Sequence, residues 1–236
     1  MNFIIPYICL TGLFLPLVIF FFNKGYRSAN QYLAAFFFFA SLFVLENFYF
    51  FFGKSIPKIA FFTNTHAFYY LIGPFAFFYM RSILRDNTKL NKTDYLHFAI
   101  FVISFIGYIP YYFSSWKFKM LVAENMYSNS WNLAQFHTNF LIPHKIDQVF
   151  NVLQTYFYSI ALWYLIVHYK KSRRSIFKTK QYKLIQNWLY IFAAFYVIIT
   201  INFTIAMANI WIYDDKSIFL NRAGIALFFA SIVYVA

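Results

Sequence analysis

Strongly polar side chains recur inside otherwise apolar stretches of this chain. Glu46 and Asn47 close one stretch, His66 lies within the next, Asn151 and Gln154 open a later one, Asn202 falls near the end of another, and Asn221 with Arg222 begins the last. Glutamate, histidine and arginine can pair or exchange protons, and the amides both donate and accept hydrogen bonds. Glu46 could therefore pair with His66 or with Arg222. The types do not assemble into a reaction centre. There is no Gly-rich phosphate loop, no His-Glu-x-x-His and no pair of acids within one apolar block, so no catalytic residue, cofactor or enzymatic activity is expected. His137 and His144 are seven apart with Asp147 close by, which falls short of a convergent ligand set, and no metal is assigned. Glu46 reads as the only acid deep in an apolar block. That argues against proton-coupled transport, and the last block offers no core lysine for a retinal Schiff base.

The elements that must hold these groups are set by composition. Hydrophobic residues make up 62% of the 236, aromatic residues 26% and charged residues only 11%, whereas soluble domains carry about 25% charged residues. No soluble core of this size could bury 36 Phe. A bilayer can take them. Blocks long enough to cross its hydrocarbon core, roughly 20 residues each, occur at about 3–22, 31–52, 61–80, 94–113, 147–168, 184–207 and 218–236. Backbone polar groups in lipid must be satisfied within the segment, which selects helices, and the alternation of a membrane barrel is absent. The expected fold is all-α: a polytopic bundle of seven transmembrane helices forming one domain over 1–236. Residues 1–22 lack a basic start and a small-residue cleavage site, so they read as an uncleaved first span. The lone Cys9 excludes an intramolecular disulfide.

The net charge of +13 would suggest nucleic acid in a soluble protein, but here the cations sit between the spans. Odd-numbered loops hold thirteen Lys and Arg: Lys24 and Arg27; Arg81, Arg85, Lys89 and Lys92; and seven between Lys170 and Lys183. Even-numbered loops hold six. Cytoplasmic loops carry the positive excess, which places the N-terminus outside and the C-terminus in the cytoplasm. Loop 114–146 is then the one long external segment, with Trp116 and Trp131 as interface anchors. Gly73-Pro74 marks a kink or hinge in the third span, because proline removes a backbone donor. Asp94 reads as the N-cap of the fourth.

The run IPKIAFFTNTHAFYYLIGPFAFFYMRSIL, followed by a basic loop and DYLHFAIFVISFIGYIPYYF, resembles the N-terminal membrane region of membrane-anchored AraC-type helix-turn-helix transcriptional regulators of the Bacteroidetes. The resemblance is carried by Gly73-Pro74, Tyr79, Arg81 and Ser82, by Asp94, Leu96, His97 and Phe98, and by Pro110. RSANQYLAAFFF before the second span adds to it. It implies a sensory domain in the bacterial inner (cytoplasmic) membrane, with a DNA-binding part after Ala236; no base-reading position falls within this chain.

The expected function is therefore signal input to a cytoplasmic output. Glu46, Asn47, His66, Asn151, Gln154, Asn202, Asn221 and Arg222 would line a cavity open to the outside for an unidentified small ligand, and the alternative is interhelical hydrogen bonding alone. The bilayer is the expected partner. Two-fold DNA sites would suit a homodimer, although no GxxxG motif is present. A receptor coupled to a kinase or cyclase, or a small transporter or facilitator, are the competing readings.

Overall fold

The computed structural model describes residues 4–22, 27–52, 55–85, 89–128, 138–172 and 180–213. The block 218–236, with Asn221 and Arg222, lies outside these, as do Trp131 and His137. The described residues form helices joined by turns: α1 (Ile4–Phe22), α2 (Arg27–Phe52), α3 (Ile56–Phe62), a 3-10 helix Thr63–Leu71, α4 (Ile72–Arg85), a second 3-10 helix Lys92–Phe98, α5 (Ala99–Tyr112), α6 (Trp116–Ser128), α7 (His144–Ser172) and α8 (Lys180–Tyr213). Among the described residues five segments are long and apolar enough to cross a membrane: Ala29–Glu46, Ile56–Arg85, Lys92–Tyr112, Lys145–Tyr169 and Lys183–Ile205.

The segment Ile56–Arg85 is the central pillar. In its most apolar stretch 72% of residues are buried, against 22–50% in the other four. It touches α2, α5, α6 and α7. Around it the helices turn apolar faces outward, as Ile106 on α5, Ile160 on α7 and Ile198 on α8 illustrate, which suits contact with lipid tails. The main core joins α2, α4, α7 and α8 through Phe36, Met80, Leu162, Leu189 and Phe192. Phe36 and Phe192 meet edge to face at 5.1 Å, a geometry worth about 0.5–1.5 kcal/mol beyond burial.

The segment Ile56–Arg85, which covers the block read as the third span, is not one continuous α-helix. Nine of its residues are 3-10, whereas runs longer than three or four are uncommon and often mark a hinge. The irregularity lies just ahead of Gly73-Pro74, so the proline stands in the first turn of α4, where a missing N–H is best tolerated.

Within 114–146 the described residues 114–128 and 138–142 pack onto the bundle. Val122 and Ala123 of α6 are fully buried; Ala123 packs with Ile59 and Ala60 of α3, while Trp116 stays half-exposed. Residues 138–142 dock on α5. Phe140 N donates to Gly107 O at 3.0 Å, and Asn139 Oδ1 accepts from the backbones of Leu141 and Ile142. That turn needs glycine at 107, since a Cβ there would lie 2.0 Å from Asn139 Oδ1. Gly107→Ala is expected to destabilise the protein by about 1–3 kcal/mol through overpacking. Thermal unfolding in detergent checks it, and an unchanged midpoint would show that the turn is not held this way.

Candidate functional site

The residues that could do chemistry gather on the third span, where its neighbours present side chains in helical register. Asp147, Asn151, Gln154 and Tyr158 fall at i, i+4, i+7 and i+11 on α7, which places them on one face. All four are buried.

Asp147 is the centre of the first cluster. It lies in the first turn of α7, where the helix dipole favours an anion, and it is fully buried. Four donors surround its two oxygens. Oδ1 accepts from Tyr70 Oη at 2.7 Å and Ser104 Oγ at 3.4 Å. Oδ2 faces His66 Nε2 at 3.3 Å and Tyr108 Oη at 3.4 Å. Tyr70 Oη also lies 2.8 Å from the Asp147 carbonyl. On the opposite edge of the imidazole, His66 Nδ1 stands 3.9 Å from Glu46 Oε1, and Thr65 Oγ1 donates to Glu46 Oε2 at 2.8 Å.

The result is a carboxylate–imidazole–carboxylate row across α2, the first 3-10 helix and α7. It corrects the expectation that Glu46 is the only acid deep in the apolar region. In the sequence Asp147 stands beside His144 at the edge of an external loop; packing of α7 against the 3-10 helix and α5 encloses it. Its spacing from Asn151 and Gln154 is the one local signal of that burial. Because the two ring nitrogens point at different carboxylates, the row can hold and pass protons but cannot converge on one metal. Among the described residues no group of three or more His, Cys, Asp or Glu is arranged to hold a metal ion.

Gln154 serves the backbone. Pro74 has no N–H, so the carbonyl four residues before it, that of Tyr70, loses its helical donor. Gln154 Nε2 supplies one at 3.1 Å. One turn further on, Tyr158 packs against Gly73, where a Cβ would lie 2.2 Å from its ring, and its hydroxyl meets His97 Nδ1 at 2.7 Å.

Asn151 does not join the row. It lines a separate void of about 40 Å³ with Tyr69, Thr155 and Thr200 among mainly apolar residues. That is room for a few waters and far below the roughly 300–1,000 Å³ of small-molecule sites. Of the other polar residues picked from sequence, Glu46, His66 and Gln154 meet on the third span. Asn47 and Asn202 belong to α2 and α8, but their side chains, like that of His144, lie outside the described residues. So do Asn221 and Arg222, and with them the Glu46–Arg222 pairing.

A second cluster sits fifteen residues further along the same span, roughly 25 Å away by helical rise. Arg81 Nη1 pairs with Asp94 Oδ1 at 2.6 Å, with both side chains under 10% exposed. The guanidinium lies over the ring of Phe78 at 4.9 Å. Asp94 Oδ2 also accepts from Asn91 N at 2.7 Å. Two expectations change here. Asn91 holds the cap position and Asp94 reaches back from the third residue. Arg81, counted as a loop cation, belongs to α4 and is neutralised by Asp94. Trp188 Nε1 of α8 donates to Tyr79 Oη at 2.8 Å. Arg81 with Asp94, His97 with Tyr158 and Tyr79 with Trp188 thus tie together α4, the second 3-10 helix, α7 and α8.

No protein-family model, curated protein or solved structure matches this chain. The reading of the site rests on its residues and geometry.

Both clusters can be probed by substitution. Gln154→Leu should cost about 1–2 kcal/mol by stranding the Tyr70 carbonyl, and the loss should shrink when Pro74→Ala restores a backbone donor. Reversible unfolding in mixed micelles measures both, and a loss indifferent to residue 74 overturns the account. Arg81→Met or Asp94→Asn should each cost about 3–5 kcal/mol, because either leaves a buried charge alone. The double variant should lose less than the sum in a double-mutant cycle.

Proposed function

We propose that this chain is the membrane-embedded signal-input domain of a one-component transcriptional regulator of the AraC type, passing a signal received at the outer side of the bacterial inner membrane to a DNA-binding part C-terminal to it. In this reading seven helices cross, the N-terminus lies outside, and the C-terminus emerges in the cytoplasm. The segment itself contacts no nucleic acid. It is a binding and transmitting domain without catalytic or cofactor chemistry, and a dimer would match two-fold operator sites.

The observation that carries the reading is the construction of the third span. One buried element has a carboxylate–imidazole–carboxylate row toward one end, a clamp at the other, and a 3-10 stretch and proline between them, pinned by α7. A signal domain needs such an element, because a ligand shifts an equilibrium only when it meets two states differently. Basic loops put the row outside and the clamp inside, so the clamp would stand nearest the output.

A second reading, a small transporter, gains from Asp147, since buried acids flanking a histidine suit proton coupling. It requires a continuous polar path to the inner face, and beside the α7 face of Asn151, Gln154 and Tyr158 the core toward the clamp is apolar, with Phe36, Leu162 and Phe192 buried. A receptor with a kinase or cyclase output shares the membrane architecture and differs only in the domain attached beyond Ala236.

Two experiments test the proposal. A fluorescent-protein fusion after Ala236 should fluoresce, while a phosphatase fusion there should be inactive; the reverse pattern would refute the orientation. In the native gene, the reading frame beyond Ala236 should encode a helix-turn-helix pair, and disrupting the Arg81–Asp94 clamp should change expression from the target promoter at least several-fold. A frame that closes directly after the seventh span, or that encodes a kinase, excludes the regulator.

A further inference from the structure

We infer that the ligand of the Glu46–His66–Asp147 row is the proton, and that its presence on His66 is coupled to the position of α4 through Tyr70. As a signal this rests on the signal-input reading; as a binding site it does not.

The geometry argues first against larger ligands. Asp147 is fully buried, and the side chains of His66 and Glu46 are 17% and 11% exposed. Among the described residues the void nearest the row, beside Tyr69 and Asn151, has a volume of only about 40 Å³. The opposed ring nitrogens argue against a metal. What remains is the one species that occupies no volume and binds on a ring nitrogen.

The groups facing His66 come from every neighbouring element. Glu46 stands on α2 and Asp147 on α7. Tyr108 of α5 has its ring 5.8 Å from the imidazole, and Tyr69 of the same 3-10 helix lies at 5.0 Å. Tyr112 stacks beyond Tyr108 at 6.0 Å, and Lys119 of α6 stands 5.6 Å over the ring of Tyr111. With a proton on each nitrogen, the imidazolium presents an N–H toward each carboxylate, as an ion pair at 3.3 Å from Asp147 and 3.9 Å from Glu46. With one proton removed, a lone pair must face a carboxylate oxygen at 3.3 or 3.9 Å, and one side of the row must open.

The opening has a preferred place. Asp147 is held by Tyr70 at two atoms, its carboxylate and its own carbonyl. Movement of His66 away from Asp147 therefore strains Tyr70, which lies one helical turn along the same 3-10 helix. Tyr70 is also the residue whose carbonyl Pro74 leaves to Gln154. The proton on His66 and the α7 contact that fixes α4 thus share one residue.

The test uses the full chain in lipid nanodiscs with Cys9→Ser and spin labels on Arg85→Cys and Leu184→Cys, both at exposed positions of α4 and α8. Pulsed electron paramagnetic resonance reads the distance distribution over a range from about pH 5 to about pH 10. The expected result is a reversible change with one midpoint. His66→Gln should abolish it. Glu46→Gln should keep it but displace the midpoint by about one pH unit or more, an effect that misfolding does not produce. A wild-type distribution independent of pH overturns the inference, as does a transition that survives in His66→Gln. The readout involves no transcription. A pH-dependent distance without any promoter response leaves the proton site standing and removes the signal-input reading; a promoter response without a pH-dependent distance does the opposite.

Discussion

Gln154 of α7 donates to the carbonyl of Tyr70 where the 3-10 helix gives way to α4 ahead of Pro74, in the most buried element of the described bundle, and much of the described structure is in register with that contact. Once Gln154 is committed, the rest of α7 is in register with the third span. Tyr158 falls against Gly73 one turn away, and Asp147 falls beside Tyr70 and His66 two turns the other way. Sliding α7 by one residue would break all three contacts together.

This kind of constraint matters more in lipid than in water. Phe and Leu on a helix surface are as well solvated by acyl chains as by one another, so burial alone does not choose a partner. The aromatic packing around Phe36 and Phe192 supplies close contact without dictating register. Direction comes from the few polar contacts and from the glycines that permit close approach. Both buried ion pairs obey the same logic. Asp147 is tolerated because four donors surround it, and Arg81 because Asp94 and the Phe78 ring share its charge. The two clusters sit on one element, so a displacement at one end has a physical route to the other.

The helices were legible in the sequence because apolar block length is a local property. The blocks at 31–52, 94–113, 147–168 and 184–207 each fall within or close to a described helix, though the ends extend by several residues where amphipathic residues such as Lys180 and His144 continue the turn. Pro74 announced an irregularity, but not that it would take the form of nine 3-10 residues ahead of it. Glu46 and His66 were legible as a pair from depth alone. Asp147 was hidden by neighbours that read as loop, although its spacing to Asn151 and Gln154 marks a face. Arg81 and Asp94 read as a loop cation and a cap because each has a plausible local role; their pairing, 13 residues apart in the chain, has no local signature.

By itself the sequence determined that the chain forms helices long and apolar enough to cross a bilayer, since block length and composition are local properties, and it marked where polar groups interrupt the apolar run. Only the tertiary structure decided which of those groups meet. Depth along a span can be counted from sequence, but facing depends on the rotation and register of each helix about its axis. Those are set by contacts between residues far apart in the chain: Tyr70 with Asp147, Gly73 with Tyr158, and His66 between two acids that the sequence keeps on distant helices.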